Sequence, residues 1–169
     1  MTVCRNYPSS ESERFLPVGE REENIPCDLN DCAWFSRIDA SGGAVFFAAG
    51  VFYYFLRRQV MALVQSMAEA FPGGVLVFDA ANERAVGLML KTWLKDAQIR
   101  DVGAYFAVSD AVRELSPWGR HLQISSRGYM LGYHDLRDPS VSGFFRFLAG
   151  VGDGMMKMQI VKIGFGRQV

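Results

Sequence analysis

The chain has 169 residues, of which half are apolar and 21% are charged. This length and composition suit one domain of ordinary size with a sizeable buried core. Eighteen basic and eighteen acidic residues cancel to a formal net charge of zero, which removes any whole-protein argument for attraction to nucleic acid or to an anionic membrane. The longest apolar run, residues 44–56, is shorter than the roughly 18 residues that a spanning helix needs. We therefore expect no nucleic-acid partner and no membrane partner.

The cysteines bear on compartment and on metal binding. Cys4, Cys27 and Cys32 make an odd number and lack the spacing of a disulfide framework. The first residues are polar and contain no apolar signal region. We therefore predict reduced thiols in a cytoplasmic protein. No second Cys or His pair stands at ligand spacing from Cys27 and Cys32, so we predict no metal site.

The chain begins with a polar segment. Residues 1–23 are rich in Pro, Ser, Glu and Arg with little periodicity, and they predict an irregular N-terminal arm ahead of one domain at residues 24–169. A short strand is predicted at residues 25–29. Asn30 and Asp31 then supply turn or cap chemistry for a short helix that carries Trp34 and Phe35.

Strands and helices alternate after this point. Residues 44–48 (AVFFA) form a continuous apolar run, typical of a strand buried in a parallel sheet. Residues 75–78 (VLVF) form another such run. Between them, apolar residues recur at helical spacing over residues 56–71, and the Pro-Gly-Gly that follows ends this helix. Asn82 can cap the next helix, whose apolar stripe begins at Val86.

The remaining predicted elements are a helix near residues 109–115, a strand at 122–131, a helix at 142–151 and a strand at 158–165. Strands that alternate with helices predict βαβ crossovers and a mostly parallel sheet, which is an α/β fold. Ligands of such sheets bind outside the carboxyl ends of the strands, where we expect Asp28, Gly50 and Asp79. Tyr53 and Tyr54 follow Gly50. These two side chains could equally well line a pocket or pack beneath the next helix.

Two further patterns invite a chemical interpretation. Residues 150–154 (GVGDG) are glycine-rich, but a phosphate cradle should follow a strand and open a long helix, so a loop after a helix is favoured. His121 and His134, the second with Asp135 beside it, permit acid-base catalysis. Exposed or core-edge histidines are far commoner, and we favour that interpretation.

Several stretches resemble one family. They are residues 44–55 (AVFFAAGVFYYF), the helix that follows, and residues 72–80 (PGGVLVFDA). Upstream, residues 27–31 (CDLND) followed by Trp34 resemble the same family's acidic loop, and the resemblance extends downstream through Trp118 to the last strand. The family is the leucine carboxyl methyltransferase-like O-methyltransferases, which include polyketide O-methyltransferases of the tetracenomycin type.

The resemblance implies a class I methyltransferase-like (Rossmann-like) domain with S-adenosylmethionine as its cofactor. The family's Asp-Leu pair, which contacts the adenine end of the cofactor, falls on Asp28 and Leu29, and a carboxylate can accept a hydrogen bond from the adenine amino group. The family's Glu-Gly falls on Ala49 and Gly50, and its tyrosine falls on Tyr54. The implied cofactor-binding residues are therefore Asp28, Leu29, Gly50 and Tyr54, and no catalytic residue is implied.

The sequence departs from the family in two respects. Ala49 stands where the family has a Glu that reaches the cofactor, and an alanine cannot accept that bond. The resemblance also begins after the family's glycine-rich first strand and acidic second strand, so we expect a truncated sheet without the glycine-rich cofactor loop. Helix capping competes with a ligand role for both acids: it is as favoured as cofactor contact for Asp28, and it is preferred for Asp79.

Two functions stay open at this stage. The first is an S-adenosylmethionine-dependent O-methyltransferase that acts on a small-molecule carboxylate or hydroxyl, inactive or partner-dependent in this form. The second is a non-enzymatic oligomeric remnant or interaction module of the same fold. Family resemblance favours the first as a class, whereas the absent loop and Ala49 favour the second.

An oligomer is also expected. Without the first strand of the family's sheet, the strand that begins at Ala44 and ends at Ala48 becomes an edge. This strand is apolar and contains no Lys or Pro to block pairing, which is the type of edge that natural proteins avoid exposing. We therefore predict a homo-oligomer, in its simplest form a symmetric dimer, that pairs these edges.

Overall fold

A computed structural model describes residues 2–5, 23–96, 106–133 and 136–166. The chain divides into two compact units, Met1–Gly43 and Ala44–Val169. The predicted boundary after residue 23 stays a prediction, because most of the N-terminal arm lies outside the described residues. No helix in the described ranges is long and apolar enough to cross a membrane.

The first unit contains a small parallel sheet. Strand β1 (Thr2–Arg5) pairs with β2 (Glu23–Pro26). The prediction of an irregular arm was therefore wrong for its first residues, and β2 begins two positions before the predicted strand. A 3₁₀ helix follows at Cys32–Arg37, with Trp34 buried on it. Of the residues predicted to supply turn or cap chemistry here, Asp31 is the cap, because its Oδ1 accepts a hydrogen bond from the Ala33 N–H at 2.9 Å.

The second unit contains most of the predicted elements, with ends shifted by a few residues at most. In chain order they are β3 (Val45–Ala48), a 3₁₀ turn (Phe52–Tyr54), α1 (Arg57–Ala70), β4 (Val75–Ala80), α2 (Glu83–Asp96), α3 (Ala111–Leu115), a 3₁₀ turn (Ser116–Trp118), β5 (Leu122–Gly128), α4 (Gly143–Gly150), a π-helical turn (Val151–Met155) and β6 (Gln159–Phe165).

The strands of this unit form one mixed sheet in the order β3-β4-β6-β5. Strand β3 pairs in parallel with β4, while β6 pairs antiparallel with both β4 and β5. It follows that β3, β4 and β5 run in the same direction. Strand β6 lies between β4 and β5 and runs in the opposite direction. The predicted α/β fold with flanking helices is confirmed, and three of the four strands share one direction as expected, although β6 makes two of the three pairings antiparallel.

A chain of aromatic rings occupies the core beside β4. The ring of Phe52 lies 5.1 Å from that of Phe78, Phe78 lies 6.1 Å from Phe106, and Phe106 lies 6.1 Å from Trp118. All four side chains are buried. The Phe52–Phe78 pair is edge-to-face and the other two pairs are tilted. Such ring contacts are favourable beyond the burial of apolar area, and here they link β4 to three connecting segments of the unit.

The turn from α1 into β4 passes very close to the start of β3. Gly73 has a φ of 87°, in the left-handed region that favours glycine. At Gly74 a Cβ atom would stand 2.9 Å from the carbonyl oxygen of Phe71 and 3.3 Å from that of Ala44. The predicted Pro-Gly-Gly stop is confirmed, and its second glycine also allows β3 and β4 to pair.

Strand β3 lies at one edge of the sheet and is only partly covered. Phe46 points inward, where its ring lies 4.9 Å from that of Phe71. Val45 and Phe47 are 60% and 76% exposed. The pattern of residues 44–48 had predicted a strand buried on both faces. The structure exposes the second face because no described helix covers it.

The N-terminus of α1 is braced against α3. The Arg57 Nη1 lies 3.0 Å from the Glu114 Oε2, and the guanidinium carbon lies 5.6 Å from the centre of the Trp118 ring. The Glu114 Oε1 accepts the N–H groups of Ser109 and Asp110. Partial burial alone would raise the pKa of Glu114, but these backbone bonds and Arg57 outweigh it and hold that pKa below its ordinary value.

This brace predicts an acid-sensitive contribution to stability. Glu114→Gln should lower the free energy of unfolding by about 1 kcal/mol near neutral pH, the typical net value of such bonds. A carboxyl whose pKa is lowered on folding stabilises the protein above its unfolded pKa, and this stabilisation is lost as the pH falls through the folded pKa. Urea unfolding should therefore show a difference between wild type and variant that shrinks under acidic conditions. Glu69→Gln, on the exposed side of α1, is the control, and an equal effect from both variants would contradict the assignment.

Candidate functional site

The candidate site lies at the carboxyl ends of the parallel strands β3 and β4. Ala48 is paired with Phe78 in the register of these strands, so the residues that follow each strand emerge side by side. Gly50 adopts a φ of 67° directly after β3, which is a conformation that glycine takes without a steric penalty. This edge is where ligands of open α/β sheets bind.

Asp79 connects the ends of the two strands. Its Oδ1 accepts the Gly50 N–H at 2.6 Å, and its Oδ2 accepts the Tyr53 hydroxyl at 2.9 Å. The prediction that Asp79 caps the following helix was wrong. That cap is Asn82, as also predicted, since its Oδ1 accepts the Ala85 N–H at 2.9 Å.

Tyr53 is the buried member of the tyrosine pair. It is 3% exposed, and its cluster consists of Ala81, Ala85 and Val86 with Met89, Ala107, Met156 and Met158 at the margin. Burial, followed by the negative charge of Asp79 and the hydrogen bond to it, raises the pKa of Tyr53 far above its ordinary value. The phenol therefore stays neutral and keeps donating to Asp79 at any physiological pH.

The neighbouring residues of the turn face outward. Tyr54 is 42% exposed, and Ala49 is exposed as well. The two tyrosines thus divide between the two alternatives. Tyr53 packs in the core against Ala81, Ala85 and Val86, whereas the side chain of Tyr54 is accessible from solvent. Gly50 contributes its backbone to the turn, with its N–H already bound to Asp79.

Asp28 and Leu29 belong to the first unit, whereas Gly50 and Tyr54 belong to the second. Asp28 is exposed, and its Oδ1 accepts both the backbone N–H and the side-chain Nδ2 of Asn30 at 2.9 Å. This bonding pattern stabilises a local turn. Asp28 is not the cap of the 3₁₀ helix, because Asp31 fills that position.

The glycine-rich segment has a structural role in the second unit. It forms the π-helical turn that continues α4, where a loop had been predicted. The carboxylate of Asp153 accepts the N–H groups of Met130 and Leu131, the latter at 2.7 Å. A Cβ atom at Gly128 would collide with this carboxylate. Asp153 therefore holds the chain as it leaves β5.

The remaining candidates do not form a second site. His121 is exposed at the start of β5, while His134 and Asp135 lie outside the described residues, so their pairing stays a hypothesis. Cys27 and Cys32 carry half-buried thiols. In the ranges that the structure describes, no three His, Cys, Asp or Glu side chains are grouped as metal ligands.

The residues present fit only one end of S-adenosylmethionine. Asp28 is exposed and engages one carboxylate oxygen in its own turn, which leaves the other suited to an adenine amino group. Ala49 offers no acceptor, and the Gly50 N–H is committed to Asp79. Taken unit by unit, the first offers one carboxylate oxygen at Asp28, and the turn after β3 in the second offers neither a side-chain acceptor at Ala49 nor an uncommitted N–H at Gly50.

No family model and no curated protein matches the chain. An O-methyltransferase family protein from Burkholderia thailandensis aligns with a TM-score of 0.46 and 16% identity, over 88% of this chain and 36% of its own. A DUF574 family protein from Streptomyces avermitilis aligns with a TM-score of 0.52 and 10% identity, over 85% of this chain and 55% of its own. The chain shares the α/β fold of the second structure. It spans 36% and 55% of the lengths of these two proteins.

Sequence reasoning missed the parts played by Asp79, Tyr53 and Asp153. A signal existed for Asp79, because it ends the strand next to the one that Gly50 follows, and parallel neighbours end at the same edge. No signal existed for Asp153. It binds N–H groups 22 and 23 positions away in the sequence, and backbone donors leave no pattern in the side chains.

The Tyr53–Asp79 bond predicts an alkaline-sensitive contribution to stability. Tyr53→Phe should cost about 1 kcal/mol or more near neutral pH, because a half-buried carboxylate loses a donor. A phenol whose pKa is raised on folding stabilises the protein below its unfolded pKa, near about 10, and loses this contribution as the pH rises beyond it. The difference between wild type and variant in urea unfolding should shrink above that pH. Tyr54→Phe is the exposed control, and a loss equal to that of Tyr53→Phe would count against the bond.

Proposed function

We propose that this chain is part of an S-adenosylmethionine-dependent O-methyltransferase, and that the turn after β3 belongs to its cofactor side. The observation that carries the proposal is the Gly50 turn, held by Asp79 at the carboxyl ends of two parallel strands. The sequence resemblance to the leucine carboxyl methyltransferase-like family supports the finer assignment, with Asp28, Leu29, Gly50 and Tyr54 as cofactor-binding residues. The methyl acceptor is a small-molecule carboxylate or hydroxyl.

Catalysis in this class is mainly a matter of position. Holding a donor and an acceptor in line at close range supplies a large part of the rate enhancement for a bimolecular transfer. The second unit contributes a fixed turn, because Gly50 and Tyr53 share one carboxylate. S-adenosylmethionine, when bound, supplies the electrophilic methyl group. We assign no general base among the described residues.

The first test is the affinity of the chain for the cofactor. Ala49 lacks the carboxylate of the family's Glu, and the Gly50 N–H is already bound. Each hydrogen bond that a charged group fails to make costs about 1.5–3 kcal/mol. We therefore expect calorimetric titration with S-adenosylmethionine to give a dissociation constant weaker than about 10 µM. Tighter binding would contradict this account of the site.

The second test restores the missing acid. Ala49→Glu should tighten binding of S-adenosylhomocysteine by about tenfold or more, because one bond to a charged group is worth at least about 1.4 kcal/mol. Ala62→Glu, an identical substitution at an exposed position of α1, is the matched control. Equal affinities for both variants would contradict the proposal that Ala49 and its turn contact the cofactor.

The third test concerns Asp28. Asp28→Asn keeps the oxygen that accepts from Asn30 and can preserve the local turn, but it replaces the second oxygen by a donor. Binding of adenosine or S-adenosylhomocysteine should weaken, with no change in melting temperature. Asp39→Asn is the matched control, since Asp39 makes the same kind of turn with Ser41. Binding that tolerates both variants would leave Asp28 with a turn role alone.

A specific observation favours the second candidate function, a non-enzymatic interaction module. Helix α4 exposes Phe144 by 71% and Phe147 by 67%, and large apolar side chains that cluster on a surface mark contact regions. On this alternative, no variant binds S-adenosylhomocysteine, and Ala49→Glu has no effect on affinity. The titration with Ala49→Glu therefore separates the two candidates.

A further inference from the structure

We propose that the free edge of β3 is a self-complementary interface, through which two copies of this chain form an antiparallel dimer centred on Phe46. This proposal is independent of the cofactor chemistry above. It rests on the direction of the backbone groups, on the exposed side chains of the strand and on the absence of charged residues from the stretch 40–56.

The backbone of β3 divides its hydrogen-bonding groups between two sides. The Val75 N–H donates to the Ala44 carbonyl at 3.0 Å, and Val45 is the register partner of Val75. In a parallel ladder this pattern turns the groups of Ala44 and Phe46 toward β4 and those of Val45 and Phe47 away from it. In the described part of the chain, no strand pairs with β3 on that outer side.

The outward groups match those of a second copy. A twofold axis at Phe46 sets Val45 opposite Phe47 of the second copy, and Phe47 opposite Val45. Both are outward-facing residues, so each pair exchanges its two N–H···O bonds in the manner of an antiparallel ladder. Their side chains, 60% and 76% exposed, then form cross-strand pairs of an aromatic with a β-branched residue, which is a favourable combination.

The ends of the strand leave room for this approach. In the same register, Ala44 lies opposite Ala48 and Gly43 lies opposite Ala49, all small residues. A Cβ atom at Gly43 or Gly50 would meet no described atom within 4 Å, so neither glycine is closely packed. Partners that add a strand to an exposed edge use the same main-chain geometry.

Charge supports a second copy as the occupant. Residues 40–56 contain no charged side chain, so pairing this stretch with itself brings no like charges together. Edge strands that remain unpaired are commonly protected by Lys, Pro or inward-pointing charges, and β3 has none of them. A twofold contact also closes on itself, which prevents continued growth into a filament.

The experiment measures the assembly of the full chain. Sedimentation velocity at about 1–100 µM, the range of moderate protein affinities, should show wild type shifting to twice the mass of one chain as concentration rises. Hydrogen exchange should show the Phe47 amide protected in the concentrated sample and unprotected on dilution. A monomer throughout, with a freely exchanging Phe47 amide, would overturn the proposal.

Two variants and a control locate the contact. Phe47→Lys introduces like charges close to the axis. Val45→Pro removes an outward N–H while leaving the ladder to β4 intact, since proline is tolerated on the free side of an edge strand. Both should be monomers with an unchanged circular dichroism spectrum, and Val45→Pro decides the matter if Phe47→Lys fails to fold. Phe144→Lys on α4 should remain a dimer. A dimer that survives both β3 variants, or that Phe144→Lys dissociates, would assign the interface to another surface and overturn the proposal.

Discussion

The carboxylate of Asp79 is the contact on which the turn after β3 depends. It joins β4 to the Gly50 N–H and to the Tyr53 hydroxyl, which lie 29 and 26 positions earlier in the chain. A half-buried carboxylate is costly unless it is hydrogen-bonded, so Asp79 and the turn stabilise each other. Tyr53 reinforces this because its raised pKa keeps the phenol protonated. The turn after β3 is therefore a rigid platform, with Tyr54 on its outer side.

The hydrogen bond between Asp79 and Gly50 also limits which groups the turn after β3 can offer to a ligand. A turn at the end of a strand offers a ligand its N–H groups and its side chains, and here the Gly50 N–H is committed to the protein. Ala49 adds no polar atom, so Tyr54 is the polar side chain of this turn that remains exposed. The fold is thus preserved by an interaction that draws donors away from any ligand.

Features set by side-chain periodicity could be predicted from the sequence, whereas those set by distant backbone groups could not. The helix at Arg57–Ala70 and the strand at Val75–Ala80 follow their apolar patterns, and the caps Asp31 and Asn82 follow the chemistry of short polar side chains. Strand Thr2–Arg5 was missed because its pairing partner lies about twenty residues away in a polar segment. Asp79 and Asp153 bind backbone N–H groups far along the chain, and no residue type marks such donors.

Strand β3 has an inner side that is paired with β4 and an outer side on which no strand of the described residues pairs, and the two sides respond to different forces. Phe46 against Phe71 and the ladder to β4 hold the strand in the sheet without help from a partner. On the outer side, water can satisfy the N–H and C=O groups, so exposure of the backbone costs the fold little. The exposed side chains are different, because apolar area in water is unfavourable whatever the backbone does. In the proposed dimer, burial of Val45 and Phe47 would therefore drive association, while the hydrogen bonds would determine direction and register.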